Sequence, residues 1–150
     1  MIDLENSCMK KIKRCNTDWW INEKAVVADN GKTYIGYVTD VGEVHVKELD
    51  AKCSKAESRD VCVRRLNNDY ADEHNAPAIC VLRSGHIMVA YTGHGRKQHY
   101  LYYRITEKPY DILSFGPEQM LDYEGGTTYA QIHENCVTNE VWLFCRVARV

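Results

Sequence analysis

Three short stretches of this chain recur at a nearly constant interval, and each follows a turn. Residues 32–39 follow Asp29-Asn30-Gly31, residues 86–92 follow Ser84-Gly85, and residues 140–146 follow Thr138-Asn139. Tyr37 and Tyr91 are 54 residues apart, and Tyr91 and Arg146 are 55 apart. The stretches are rich in Val, Ile, Tyr and Trp, residues that fit a pleated, half-buried surface. A period of this length implies one supersecondary unit per repeat, and such a unit must stack on its neighbours to bury its faces.

A further strand-like run precedes each turn, at residues 25–28, 78–82 and 129–133. Runs at 43–49 and 99–105 follow the first two repeat cores, and 60–66 and 118–121 give each a fourth strand. Four short antiparallel strands repeated radially are the blade pattern of a β-propeller. The expected fold class is therefore all-β, a partial β-propeller of about three four-stranded blades. An N-terminal arm is expected over residues 1–18 and the propeller domain over 19–150, with approximate units 19–70, 71–123 and 124–150. Closed rings need roughly four to eight blades. Two complete units and the inner part of a third fall short of that, so the chain reads as part of a larger propeller or as one completed by other copies. An open arc also leaves strand edges through which the chain could self-associate. A β-sandwich of about ten strands is the alternative for the same runs.

Charge and patterning narrow the function. Lys and Arg number 19 against 21 Asp and Glu, a formal charge of −2, which argues against a basic nucleic-acid clamp. No run of 18 apolar residues exists, so no membrane-spanning helix is expected. The opening Met1-Ile2-Asp3-Leu4-Glu5-Asn6 lacks an apolar stretch of signal-peptide length. The seven cysteines are odd in number and form no Cys-x-x-Cys pair, which suits reduced thiols. Cys62, Cys80 and Cys145 interrupt apolar runs and read as small buried hydrophobes.

The densest polar segment is Tyr70-Ala71-Asp72-Glu73-His74-Asn75-Ala76-Pro77, just before an inner strand. A carboxylate at Asp72 or Glu73 could orient the His74 imidazole and raise its basicity. The same segment also reads as a capped turn, with Asp72 and Asn75 bonding backbone amides. Twenty residues on, Gly93-His94-Gly95-Arg96 ends the returning strand. An up-and-back hairpin returns to its starting end, so His74 and His94 are expected at one edge of the second unit. The third unit repeats this geometry, with Tyr129 expected at the start of its first strand and Arg146 at the end of the second. Tyr can donate or accept a proton, and Arg offers a planar donor fork to a carboxylate. Sheet surface for Tyr129 and a strand-end ion pair for Arg146 are the ordinary alternatives. Two histidines do not make a countable metal-ligand set, and no phosphate loop, zincin motif or dinucleotide fingerprint is present.

At these residues the sequence resembles the BNR-repeat-containing family of β-propellers, including its polysaccharide-lyase branch acting on ulvan. The resemblance runs from Trp19-Trp20 and the Gly31-to-Tyr37 strand through Asp72-Glu73-His74-Asn75-Ala76-Pro77, Gly93-His94-Gly95 and Tyr102-Tyr103-Arg104. It ends with Thr128-Tyr129 and Trp142-Leu143-Phe144-Cys145-Arg146. It implies a seven-bladed ring with a central His, Tyr and Arg site, in which His74, His94 and Tyr129 are catalytic and Arg146, Asn75 and Arg96 bind substrate. The implied reaction is β-elimination across a uronic-acid residue of an acidic polysaccharide, which requires no cofactor. Some members carry a structural metal, and its ligands cannot be placed in this sequence. Such an enzyme is expected to be secreted or periplasmic. The division of acid and base roles among Tyr129, His94 and His74 stays open at this level. A noncatalytic carbohydrate-binding fragment and a sialidase-like hydrolase are the competing readings. For the latter, Asp111-Ile112-Leu113-Ser114-Phe115-Gly116-Pro117 is at most a degenerate Asp-box turn.

Overall fold

Each turn of the repeat becomes a hairpin, and successive hairpins build sheets that stack face to face. The structure, a computed structural model, describes residues 15–16, 25–50, 58–65, 73–94 and 98–148. The first sheet contains β1 (Cys15–Asn16), β2 (Ala25–Val27), β3 (Lys32–Thr39), β4 (Glu43–Asp50) and β5 (Arg59–Arg65). β3, β4 and β5 form an antiparallel meander, while β1 and β2 share the free edge of β3. Cys15 and Asn16, within the segment expected as an arm, pair with Thr39 and Val38.

The second sheet is a four-stranded antiparallel meander of β6 (Ala78–Val81), β7 (Ile87–Thr92), β8 (Tyr100–Ile105) and β9 (Gln119–Asp122). A hairpin of β10 (Gly126–Asn135) and β11 (Glu140–Ala148) follows. This is the all-β, partial-propeller architecture, with β10 packed across β6, β7 and β8. None of the described helices is long and apolar enough to cross a membrane.

β7 explains why the sheets stack. All six of its residues are buried. Ile87, Val89 and Tyr91 join Tyr34, Val38, Val44 and Val46 of the first sheet in one core. Met88 and Ala90 join Ala130 and Ile132 of β10 in another. Side chains alternate across a strand, so the unbroken apolar run from Ile87 to Tyr91 demands a neighbour on both faces. Each large aliphatic side chain so buried contributes about 1.5–3 kcal/mol.

Polar bonds fix the register between layers. Arg59 donates to Glu48 at 2.5 Å and to Asp111 at 2.8 Å. Arg64 pairs with Glu118 and lies 3.7 Å over the Tyr102 ring. The Tyr91 hydroxyl donates to Glu118 at 2.7 Å, and burial followed by that carboxylate raises its pKa far above the usual phenol range. The Asp111–Pro117 segment forms the turn between β8 and β9. There the Asp111 carboxylate accepts from Leu113 N at 3.2 Å, and Gly116 N donates to Ile105 O at 2.9 Å.

Two sequence expectations need correction. The third unit's first strand begins at Gly126, three residues before Tyr129. Cys62 is exposed, whereas Cys80 and Cys145 are half-buried. Val61 belongs to the side of β5 packed toward the core, and Cys62 lies on the opposite side of the strand.

Candidate active site

The chain leading into β6 turns through a short 3-10 segment, Glu73–Asn75, before Pro77. Gly36 of β3 accepts this lead-in at close range: a Cβ there would stand 3.1 Å from Pro77 Cγ. The first sheet thus supports the segment that carries His74 and Asn75. At the far end of the β6–β7 hairpin, Gly93 lies against Gln98, where a Cβ would come within 2.6 Å of Gln98 Cγ. His94 projects from the residue after it.

The hairpin brings the two histidines together. Their rings stack with centroids 4.2 Å apart and planes inclined by 15°. Both imidazoles are half-buried.

The third hairpin is fastened beside them by Thr127. Its N–H donates to Gln98 O at 2.7 Å, and its hydroxyl lies 2.8 Å from Tyr100 O and 3.0 Å from Gln98 O. Two residues later the β10–β11 register shifts between Thr128 and Gln131, which marks a β-bulge at Tyr129 and Ala130. Tyr129 adopts a left-handed φ of +62°. A bulge re-aims a side chain that regular pleating would send elsewhere. The Tyr129 ring lies 5.6 Å from that of His74. Arg146, opposite Thr128 in the ladder, sets its guanidinium carbon 4.7 Å over the Tyr129 ring.

Buried polar atoms complete the arrangement. Among the described residues, both amide atoms of Asn75 and the hydroxyls of Thr92 and Thr128 are buried without a hydrogen-bond partner. Asn75 and Thr92 are each 1% exposed and Thr128 is 2% exposed. Leaving such a group unmet costs about 1–3 kcal/mol. Asn75 sits beside His74, Thr92 two residues before His94, and Thr128 directly before Tyr129. The two threonines escape sequence reading, because a strand threonine without a partner has the same signature as any other. Their only sequence signal is position beside a candidate residue.

Chemically, the cluster combines two imidazoles and a phenol that can exchange protons with a cation that can hold an anion. Of the residues expected here, His74, His94, Tyr129, Arg146 and Asn75 fall in this region. Arg96, Trp19, Trp20 and Asp72 lie outside the described residues.

Comparisons with known proteins bear on the fold. No curated protein matches the chain. Two solved structures, described as ulvan lyases of a polysaccharide lyase family, superpose with a TM-score of 0.59 at 18% identity. One of them is bound to a GlcA(1-4)Rha3S oligosaccharide. Each alignment covers 83% of this chain and 31% of the other, so the chain spans about a third of the length of these structures. The chain thus shares the fold of these two structures over part of their length. The sequence pattern described as BNR repeat-containing family member matches residues 32–147, from the start of β3 almost to the end of β11. With that match spanning most of the repeats, the chain belongs to the BNR repeat-containing family.

Proposed function

We propose that this chain is the catalytic part of a polysaccharide lyase that cleaves a uronic-acid-containing polysaccharide by β-elimination. The observation that carries this reading is the contact of His74 with both His94 and Tyr129, with Arg146 over the phenol. In this reading residues 19–150 supply three consecutive units of a larger ring. The acidic polysaccharide bound by one of the similar structures supports the choice of substrate class.

The chemistry follows from the uronate. Its C5 proton is α to a carboxylate, so negative charge develops on the carboxylate oxygens as that proton leaves. Arg146 pairs with those oxygens and lowers the barrier, because a fixed cation needs no reorganisation as charge builds. Tyr129 and His94 carry the proton transfers: one takes the C5 proton, and the other protonates the glycosidic oxygen as the C4–O bond breaks. His74, stacked on His94, orients it or acts as the alternative base. The electron pair of the C5–H bond becomes the C4–C5 double bond, and no redox partner is consumed. In this reading Asn75 and Arg96 bind substrate.

The test is an assay of the purified chain against a panel of uronic-acid polysaccharides. Elimination leaves a 4,5-unsaturated end that absorbs in the ultraviolet, whereas hydrolysis gives new ends without it. Tyr129→Phe, His94→Ala and Arg146→Ala should each reduce turnover at least about 100-fold with circular dichroism unchanged. Normal turnover in all three overturns the residue assignment. Saturable binding without product favours a noncatalytic carbohydrate-binding fragment.

A further inference from the structure

A second polar cluster lies on the first sheet, away from the residues of the proposed elimination. Val44 and Val46 of β4 enter the core shared with the second sheet, so Glu43, His45 and Lys47 face the other way. In register, Arg65, Cys62 and Asp60 of β5 oppose those three residues, and Tyr37 of β3 opposes His45 from the other side. A β-bulge between the Val44 and His45 pairings leaves Val63 unpaired and brings Cys62 opposite His45.

His45 is buried and its two nitrogens have different surroundings. Nδ1 lies 2.8 Å from Asp60 Oδ1, and Asp60 Oδ2 accepts from the Tyr37 hydroxyl at 2.6 Å. Lys47 Nζ approaches the same carboxylate at 3.9 Å. Nε2 faces Glu43 Oε2 at 3.2 Å, while Glu43 Oε1 is held by Arg65 at 2.6 Å. One ligand atom each from Glu43, His45 and Cys62 lies within 4.8 Å of the others.

We propose that Glu43, His45 and Cys62 form a binding site for a borderline-soft divalent metal ion, with Zn2+ the best match. His45 Nε2, a Glu43 oxygen and the Cys62 sulfur supply three ligands, and water completes a tetrahedron. In such a site, metal–N and metal–O bonds of about 2.0–2.2 Å set neighbouring ligand atoms roughly 3.4 Å apart. The His45–Glu43 separation already has that size. The Cys62 sulfur needs to close by at most about 1.4 Å, within reach of an exposed side chain rotating at χ1.

The surroundings have the form of a metal site's outer shell. A carboxylate that accepts from Nδ1–H fixes the histidine tautomer and leaves Nε2 as the ligand. Tyr37 in turn holds that carboxylate. Thiolate, imidazole and carboxylate together favour zinc over magnesium or calcium, which take oxygen ligands. As the metal–sulfur bond forms, the Cys62 thiol gives up its proton to solvent.

The experiment titrates the reduced, purified chain with Zn2+, and with Co2+ as a spectroscopic substitute. One tight equivalent is expected, with thiolate-to-cobalt charge-transfer absorption. Cys62→Ser should abolish that absorption and weaken Zn2+ binding at least about tenfold. Asp60→Asn should keep the absorption and weaken binding by about 10–100-fold, the effect of losing an outer-shell partner. No saturable binding, or the same absorption and affinity in both Cys62→Ser and Glu43→Gln, overturns the site. Cys62→Ser should leave polysaccharide elimination unchanged, which keeps this test independent of the lyase reading.

Discussion

Tyr129 keeps a left-handed backbone that costs a residue with a Cβ roughly 1–2 kcal/mol. Its neighbours hold it there: Thr127 is bolted to Gln98 and Tyr100, and Arg146 covers the ring. Strain of this kind persists only where the surrounding structure overdetermines it. Gly93 meets the same anchor from the other side. Replacing it with Ala would put a Cβ 2.6 Å from Gln98 Cγ, while the Gln98 carbonyl is held by Thr127. The side chain must therefore move while its backbone cannot retreat. Gly93→Ala should lower stability by about 1–3 kcal/mol, the usual range for overpacking. Gly31, which also has a positive φ but nothing within 4 Å of its added Cβ, serves as the comparison. Its Ala variant should lose only about 1 kcal/mol, from backbone strain alone. Denaturant unfolding of the two variants measures the difference.

Among the strands, β7 joins two cores, and Ile87 is fully buried in the one shared with the first sheet. Ile87→Ala should cost about 2–5 kcal/mol, whereas Val27→Ala on β2, where Val27 is 75% exposed, should change stability by less than about 0.5 kcal/mol. Thermal unfolding of both variants tests this ordering. β7 was legible because the apolar run Ile87-Met88-Val89-Ala90-Tyr91 has few ways to be satisfied except between two layers. The meeting of His74 and His94 was legible for a related reason, since a hairpin of known length returns to its own starting edge. The bulge at Tyr129 was not, because period-two alternation carries no mark for an inserted residue. Nor was the exposure of Cys62. An apolar run such as Val61-Cys62-Val63 reads as buried throughout, although only the Val side of β5 has a described sheet against it. The Glu43–His45–Asp60 cluster stayed hidden because its members come from separate strands and meet only through cross-strand register.

At the level of the whole molecule, the first two sheets are joined by charge as well as by core. Arg59 reaches from β5 to Glu48 of β4 and to Asp111 in the β8–β9 turn, and Lys32 bonds Glu48 from β3 at 2.7 Å. Burial alone would raise the Glu48 pKa, but the hydrogen bonds from Arg59 and Lys32 outweigh it and hold the carboxyl below its ordinary range. Asp60 shows the same balance, with burial opposed by its bonds from Tyr37 and His45. Because these carboxylates titrate lower in the folded state than in the unfolded one, the unfolded chain binds more protons as pH falls. Their stabilisation is fully present above the unfolded carboxylate values near pH 4 and is lost as pH falls through the lower folded values. The melting temperature should therefore drop steeply below about pH 4. Glu48→Gln should lower it at pH 7, because the guanidinium and ammonium groups lose their charged partner, and should flatten the slope on the acid side. Melting curves of parent and variant from pH 7 to about pH 3 decide the matter. Parallel curves would mean that the Glu48 ion pairs, which tie β3, β4 and β5 within the first sheet, contribute nothing to the acid response.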